Sequence, residues 1–228
     1  MVAVRRSQRV KIKWLGHASF LITADNGVKI ITDPYTAGNG LNYGQIAESA
    51  DVVLISHEHG DHSNTAAVKG SPTVLRGAGS KEVKGLKFKG IATFHDENMG
   101  KQRGANTIFA FDVDGVKVCH LGDLGHVLSE KEAVEIGRVD VLCVPVGGFY
   151  TIDAGVATSV VNKISPRVAI PMHFKTSKVD TAKFGGIVGV EEFLKGKAEV
   201  TRLNGTESEF KAGKLPAATQ ILVFKSAL

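Results

Sequence analysis

Cysteine is scarce in this chain, with only Cys119 and Cys143 among 228 residues. Each lies inside an apolar, strand-like run, so both read as buried thiols and a disulfide framework is excluded as the source of stability. That usage fits a reducing compartment and predicts a cytoplasmic protein. Long hydrophobic runs are missing too. No stretch approaches the ~18 apolar residues of a membrane span. The opening Met1-Val2-Ala3-Val4-Arg5-Arg6-Ser7-Gln8-Arg9 lacks the apolar core of a secretory signal. Where a twin-arginine leader would turn hydrophobic, the chain has Lys11-Ile12-Lys13. Neither a Gly-x-Ser-x-Gly elbow nor a Walker-type phosphate loop occurs, which removes serine-nucleophile and P-loop chemistry. No repeat or low-complexity segment interrupts the chain. A composition of 43% hydrophobic and 22% charged residues is ordinary for a globular protein. The length predicts one domain, residues 1–228, with a substantial core.

Histidine, by contrast, is gathered in one place. Of eight in the chain, three fall within His57-Glu58-His59-Gly60-Asp61-His62. The cluster directly follows Val52-Val53-Leu54-Ile55-Ser56, a short β-branched run that reads as a buried strand. Alternate residues of an extended segment face one way, so His57 and His59 can present their rings to a common point. After the turn at Gly60, Asp61 and His62 can face a second one. Imidazole and carboxylate are preferred ligands of divalent transition metals, and a catalytic site needs three with one position open.

Further candidates are scattered, as ligands gathered by folding are expected to be. His95 ends the alternating run Leu86 to Phe94, Asp123 follows the strand-like Val116 to Cys119, and His173 follows Arg167 to Met172. Four candidate groups therefore sit just past strand ends, on loops held by a rigid scaffold.

In that order, the His-x-His-x-Asp-His cluster, His95, Gly122-Asp123 and Pro171-Met172-His173 resemble the metallo-β-lactamase-fold hydrolase superfamily. Trp14-Leu15-Gly16-His17-Ala18-Ser19 and Ile31-Thr32-Asp33-Pro34 are similar to the branch holding small stand-alone hydrolases and L-ascorbate-6-phosphate lactonases. The resemblance spans about Ile12 to Phe174. It implies an α/β protein, a four-layer αββα sandwich of two mixed sheets with two metals at one sheet edge. It would assign His57, His59 and His95 to the first metal and Asp61, His62 and His173 to the second, with Asp123 bridging.

Seven candidate ligands exceed the four of a closed structural site, so two open metals are the economical reading. Such a pair can share a hydroxide with a pKa lowered towards ~7 and clamp attacking and leaving oxygens. An ester, lactone or phosphoester is then the bond to be cleaved, with Asp61 and Asp123 in the catalytic set. Donors without thiolate suit zinc, with manganese or iron as alternatives. Asp33 is a candidate to hold a metal-bound imidazole through its outer N–H, the alternative being that Asp33-Pro34 only turns the chain at a strand end. His17 is placed near the metals by the resemblance, or has a structural role. His120 is expected to be structural, and Glu58, between two ligands, to face away. His126 stands where many relatives carry tyrosine; it is a candidate to protonate a leaving group or touch substrate, the alternative being that it points outwards.

Local patterns set out the rest of the fold. Asn26-Gly27 and Asp114-Gly115 mark two hairpins. Ser129-Glu130-Lys131-Glu132 opens a helix to about Ile136 as a capping box. Asp153 caps a second, with Val156, Val160, Val161 and Ile164 on one face, and Val190 to Lys195 forms a third. Two strand-rich blocks, one ending near Ser80 and the next starting near Leu86, fit two packed sheets.

The net charge of +5 comes from 28 widely spread basic residues. Lys101 and Arg103 beyond His95, and Lys175 and Lys178 beyond His173, are candidates to bind a carboxylate or phosphate at the metal edge. The expected partner is therefore a small anionic molecule. The runner-up is an RNA- or DNA-processing nuclease of the same superfamily, disfavoured because no aromatics interleave the basic residues. A third reading is a non-catalytic metal-binding or di-iron redox protein. A homo-oligomer is left open.

Overall fold

Strict alternation builds the first sheet. In the computed structural model, which describes residues 8–228, its first five strands are β1 (Val10–Gly16), β2 (Ser19–Thr23), β3 (Lys29–Thr32), β4 (Val52–Ile55) and β5 (Thr73–Arg76). Ile12 and Trp14, Phe20 and Ile22, Ile30, and Val52 and Leu54 turn towards the main core. Their neighbours Leu15, Leu21, Ile31, Val53 and Ile55 face the other way, beneath Tyr35, Leu41, Tyr43 and Ile46. A period of two thus gives a sheet buried on both faces.

The second sheet takes β6 (Gly79–Val83), β7 (Leu86–Phe94), β8 (Ala105–Val113), β9 (Val116–His120), β10 (Val141–Pro145), β11 (Val168–Met172), β12 (Val200–Arg202) and β14 (Gln220–Val223), while β13 (Glu207–Phe210) returns to the first. The orders are β13-β1-β2-β3-β4-β5 and β12-β14-β11-β10-β9-β8-β7-β6. Both sheets are mixed: hairpins at one side pass into parallel strands at the other. This is the α/β sandwich expected. Among the described residues three α-helices occur, α1 (Glu130–Ile136), α2 (Ala154–Ile164) and α3 (Val190–Leu194). α1 packs on β7 and α2 on β10, with α3 against α2. The first sheet's outer face is covered by the irregular segment 34–50 and a short 3₁₀ turn, Thr65–Ala67.

The local signals act as their chemistry requires. Asp114 and Gly115 both have positive φ, 53° and 78°, which a tight hairpin turn demands. Ser129 Oγ accepts from Glu132 N at 3.2 Å while Glu132 Oε2 accepts from Ser129 N at 2.7 Å, completing the capping box. Asp153 Oδ1 accepts from Val156 N at 2.8 Å. The block boundary, however, lies earlier than the sequence suggests. β6, which holds Ser80, already belongs to the second sheet, where it pairs with β7. As an exposed edge strand, Gly79-Ser80-Lys81-Glu82-Val83 needs no apolar alternation, so nothing in its pattern marks it. Cys119 and Cys143 are buried free thiols on adjacent strands. No described helix is long and apolar enough to cross a membrane.

Candidate metal centre

Ladder directions decide which loops meet. In the first sheet β1, β3 and β4 run the same way, and in the second β7, β9 and β11 do. Each releases chemistry-bearing residues at its C-terminal end: His17 after β1, Asp33 after β3, the 57–62 cluster after β4, His95 after β7, Asp123 after β9 and His173 after β11. The chain turns sharply there. His17, Asp33 and His173 have left-handed φ of 51°, 37° and 49°, a conformation that costs about 1–3 kcal/mol per residue and collects at functional sites. The loops also press together, within the second sheet and between the two. A Cβ on Gly125 would lie 2.2 Å from the backbone carbon of His95 on a loop of the same sheet, and one on Gly122 would lie 2.4 Å from Ser56 Cβ on a loop of the other.

The donor atoms converge in three overlapping groups: His57, His59 and His95; His17, Asp61, His62 and His173; and His57, His62 and Asp123. Asp123 Oδ2 sits between them, 3.2 Å from Nε2 of each of His62, His95 and His173 and 3.9 Å from that of His57. Ligands sharing a tetrahedral ion at ~2.0–2.1 Å stand about 3.3 Å apart, so these spacings fit a cation. Orphaned atoms agree. His62 Nε2 and Asp123 Oδ1 are buried and have no hydrogen-bond partner, and such an atom is costly unless something satisfies it. His62 Nε2 approaches Asp123 without hydrogen-bond alignment. All seven ligand candidates from the sequence are therefore brought together, and His17 joins them with Nε2 3.1 Å from Asp61 Oδ2.

Electrostatics favours neutral rings at His57 and His17 and ionised carboxylates at Asp123 and Asp61. Burial, then the neighbouring His62, lowers His57 to about 3, and burial, then His173, lowers His17 to about 4. Burial opposes the charge on Asp123, but His173 and His62 outweigh it and hold the carboxyl well below its usual range. Asp61 is held low against burial by His62 and His17. His62 alone goes up, because Asp123 and Asp61 overcome its burial. That is where the site most favours positive charge.

Beneath the donors lies a floor centred on Asp33, which is fully buried. Its Oδ1 accepts from Ser56 N at 2.7 Å. Its Oδ2 accepts from Ser56 Oγ at 2.7 Å, His62 Nδ1 at 3.1 Å and His120 Nε2 at 2.8 Å. Ser56 Oγ also lies 2.9 Å from His57 Nδ1, so one carboxylate orients imidazoles belonging to both sides of the centre. His120 is structural in this sense, as expected. Sequence reasoning missed Ser56, whose only signal is its place before His57. It also missed Asn106, whose Oδ1 accepts from Asp123 N at 2.9 Å and whose amide donates to Leu121 O.

Above the donors opens a cavity of about 870 Å³, lined by Thr36, Asn39, Gln102, Arg103, Tyr150, Lys183 and Phe184 besides the ligand candidates. Of the predicted basic rim only Arg103 lines it. Lys101, Lys175 and Lys178 do not, because the 96–104 loop turns Lys101 outward and Lys175 pairs along Gly189. Lys183 was missed, being remote from every motif. The proton-donor reading of His126 is corrected as well. It does not line the cavity; its Nε2 accepts from Phe94 N at 3.3 Å and its Nδ1 faces Val127 O at 3.0 Å. Glu58 faces away, paired with Arg76 at 2.8 Å.

Comparison with known proteins agrees with this geometry. The beta-lactamase superfamily domain model matches residues 11–173. A protein named UPF0173 metal-dependent hydrolase from Thermococcus onnurineus is 30% identical over 87% of this chain and 98% of its own. One of the same name from Archaeoglobus fulgidus is 30% identical over 73% and 84%. Among solved structures, one from Thermotoga maritima, for which a Zn-dependent hydrolase of the metallo-beta-lactamase superfamily is proposed, superposes with a TM-score of 0.77. It is 39% identical, covering 94% of this chain and 98% of that one.

Proposed function

The chain belongs to the beta-lactamase superfamily as one of its metal-dependent hydrolases, and on that premise we propose that it uses two divalent ions to cleave an ester, lactone or phosphoester in a small anionic molecule. His57, His59 and His95 would hold one ion, and Asp61, His62 and His173 the other, with Asp123 between. The carrying observation is Asp123 Oδ2, equidistant at 3.2 Å from His95 on one side and from His62 and His173 on the other. A carboxylate there serves both sides and screens their mutual repulsion. When bound, the ions supply Lewis acidity and lower the pKa of water towards ~7.

The chain's own residues then have separate tasks. Asp33 fixes the tautomer of His62 by accepting from its Nδ1, which leaves Nε2 for an ion. Through Ser56 it does the same for His57. His17 steadies Asp61, which is otherwise the most exposed of the carboxylates at the centre. Imidazole and carboxylate donors favour zinc, with manganese or iron also accommodated, and neither cysteine belongs to the donor groups. Elemental analysis of purified protein, together with turnover of bis-p-nitrophenyl phosphate, lactones, thioesters and short RNA, tests the reading. About two ions per chain and hydrolysis of a small anionic substrate are expected. One ion at saturation, or length-dependent RNA cleavage, would replace it.

A further inference from the structure

The wall of the cavity carries a cation that no carboxylate among the described residues neutralises. Arg103 is half-buried, and its guanidinium lies over the Tyr150 ring, 5.4 Å from the centroid. Among the described residues Glu97, the carboxylate nearest in sequence, makes no ion pair with it, and Asp96 on the same loop is occupied elsewhere. Its Oδ1 accepts from Asn98 N at 2.7 Å and Gly100 N at 2.9 Å. Its Oδ2 accepts from Gln102 N at 2.9 Å and from the backbone of Arg103 itself at 2.7 Å. Asp96 therefore shapes the 96–104 loop and sets where Arg103 leaves it, without pairing with the guanidinium. Lys183 also lines the cavity, and its Nζ has only a long 3.5 Å contact with Asn39 Oδ1. A second hollow of about 410 Å³ shares His95, Gln102, Arg103 and Tyr150 with the first, which puts Arg103 on the partition between them.

We propose that Arg103, with Lys183, forms an anion-recognition subsite for a carboxylate or phosphate that the substrate carries away from the bond being cleaved. This rests on the hydrolase reading above and narrows its substrate to a molecule with two polar ends. One end sits at the metal edge and the other at Arg103, with Tyr150 and Phe184 beside the part between them. A guanidinium suits this task because its planar fork meets a carboxylate or phosphate with two parallel hydrogen bonds. Stacking on Tyr150 holds that fork in one plane, and a partly desolvated charge without a partner gains most from a ligand that supplies one. Asp96 is a positioning residue here, acting only through the loop.

The test uses the full-length, metal-loaded protein and two esters of equal chain length, mono-p-nitrophenyl adipate and p-nitrophenyl hexanoate. In Arg103→Gln the ratio of their kcat/KM values, adipate over hexanoate, is expected to fall about ten-fold, the scale of one lost charge-assisted hydrogen bond. Arg103→Lys should recover part of it. Asp96→Asn should lower the ratio in the same direction with bound metal unchanged. Lys101→Gln removes the same charge from the same loop outside the cavity, and its ratio should stay within about two-fold of wild type. An unchanged ratio in Arg103→Gln, or an equal fall in Lys101→Gln, would show that only overall charge matters and overturn the proposal. If neither ester is turned over, the ester reading fails by itself. Calorimetric titration with adipate then decides the subsite: binding weakened about ten-fold by Arg103→Gln supports it, and identical binding ends it.

Discussion

The floor and the rim of the metal edge are built in opposite ways. On the floor, one oxygen of Asp33 receives Ser56, His62 and His120, all buried, from the ends of β4 and β9 and the loop that follows β4. On the rim, Arg103, Tyr150, Lys183 and Phe184 come from three separate loops and meet through ring faces and a 3.5 Å contact. A buried polar network is rigid to the extent that its members satisfy one another, and the convergence on Asp33 holds the floor in place, although His120 Nδ1 at its back has no partner among the described residues. The rim is half-buried to exposed and has no such closed network. Holding an ion requires the first kind of construction, and admitting a substrate requires the second.

The largest effect is expected where floor and ions meet. Asp61→Ala removes a carboxylate that His17 and His62 both face, and should cost activity by orders of magnitude. Asp61 is about a quarter exposed and lies outside the core, so circular dichroism should show an intact fold. A variant that keeps its turnover would remove Asp61 from the centre. Asp33→Asn comes next. An amide cannot accept from His62, His120 and Ser56 together, so metal affinity or turnover should fall about 10–100-fold. Competition with a chromophoric chelator reads this directly. Unchanged affinity would reduce Asp33 to a turn former and erase the contrast between floor and rim.

A smaller effect separates the loop that carries Arg103. Burial works against the charge on Asp96, but its four backbone N–H donors bring the carboxyl down to about 2 from 3.8. A folded-state value below the unfolded one means that stabilisation is fully present above pH ~4 and fades as pH falls towards about 2. Asp96→Asn should therefore unfold at lower urea concentration than wild type at pH 7, with the gap narrowing as pH drops from 4 to 2.5. A gap independent of pH would assign the loss to packing instead.

The same contrast explains what the sequence disclosed. The seven donors stand beside strand ends, and strand ends are legible from β-branched runs such as Val52 to Ile55, so the donors and their sheet edge could be read from one dimension. Asp33 was legible for the same reason. Ser56 and Asn106 were not, because a buried serine or asparagine acquires its partner only when β4, β8 and β9 come together. Lys183 and Tyr150 reach the cavity from loops far along the chain with no pattern at all, and Lys101 and Lys175 look equivalent to Arg103 until the loop's backbone hydrogen bonds are seen. The layer over the first sheet has no helical period to read, since it is irregular chain sealed by Tyr35, Leu41 and Tyr43.

The smallest effect concerns His126, which by position in the chain belongs to the centre and by contacts belongs to neither floor nor rim. It follows Asp123 by three residues, yet its ring turns to Phe94, with centroids 5.9 Å apart, and stands 3.7 Å from Glu132. Gly125 causes this: it presses against the His95 backbone, and the chain leaves that contact directed away from the cavity. His126→Ala gives up one 3.3 Å hydrogen bond from Phe94 N, and water can replace it at that exposed strand end. Stability should change by less than about 1 kcal/mol. Turnover should change less than about two-fold, equally for p-nitrophenolate and for an alkoxide leaving group. A proton donor would behave otherwise, because p-nitrophenolate departs without a proton and an alkoxide does not. A loss ten-fold greater with the alkoxide would return His126 to the reacting atoms and require the 123–127 loop to move when substrate binds.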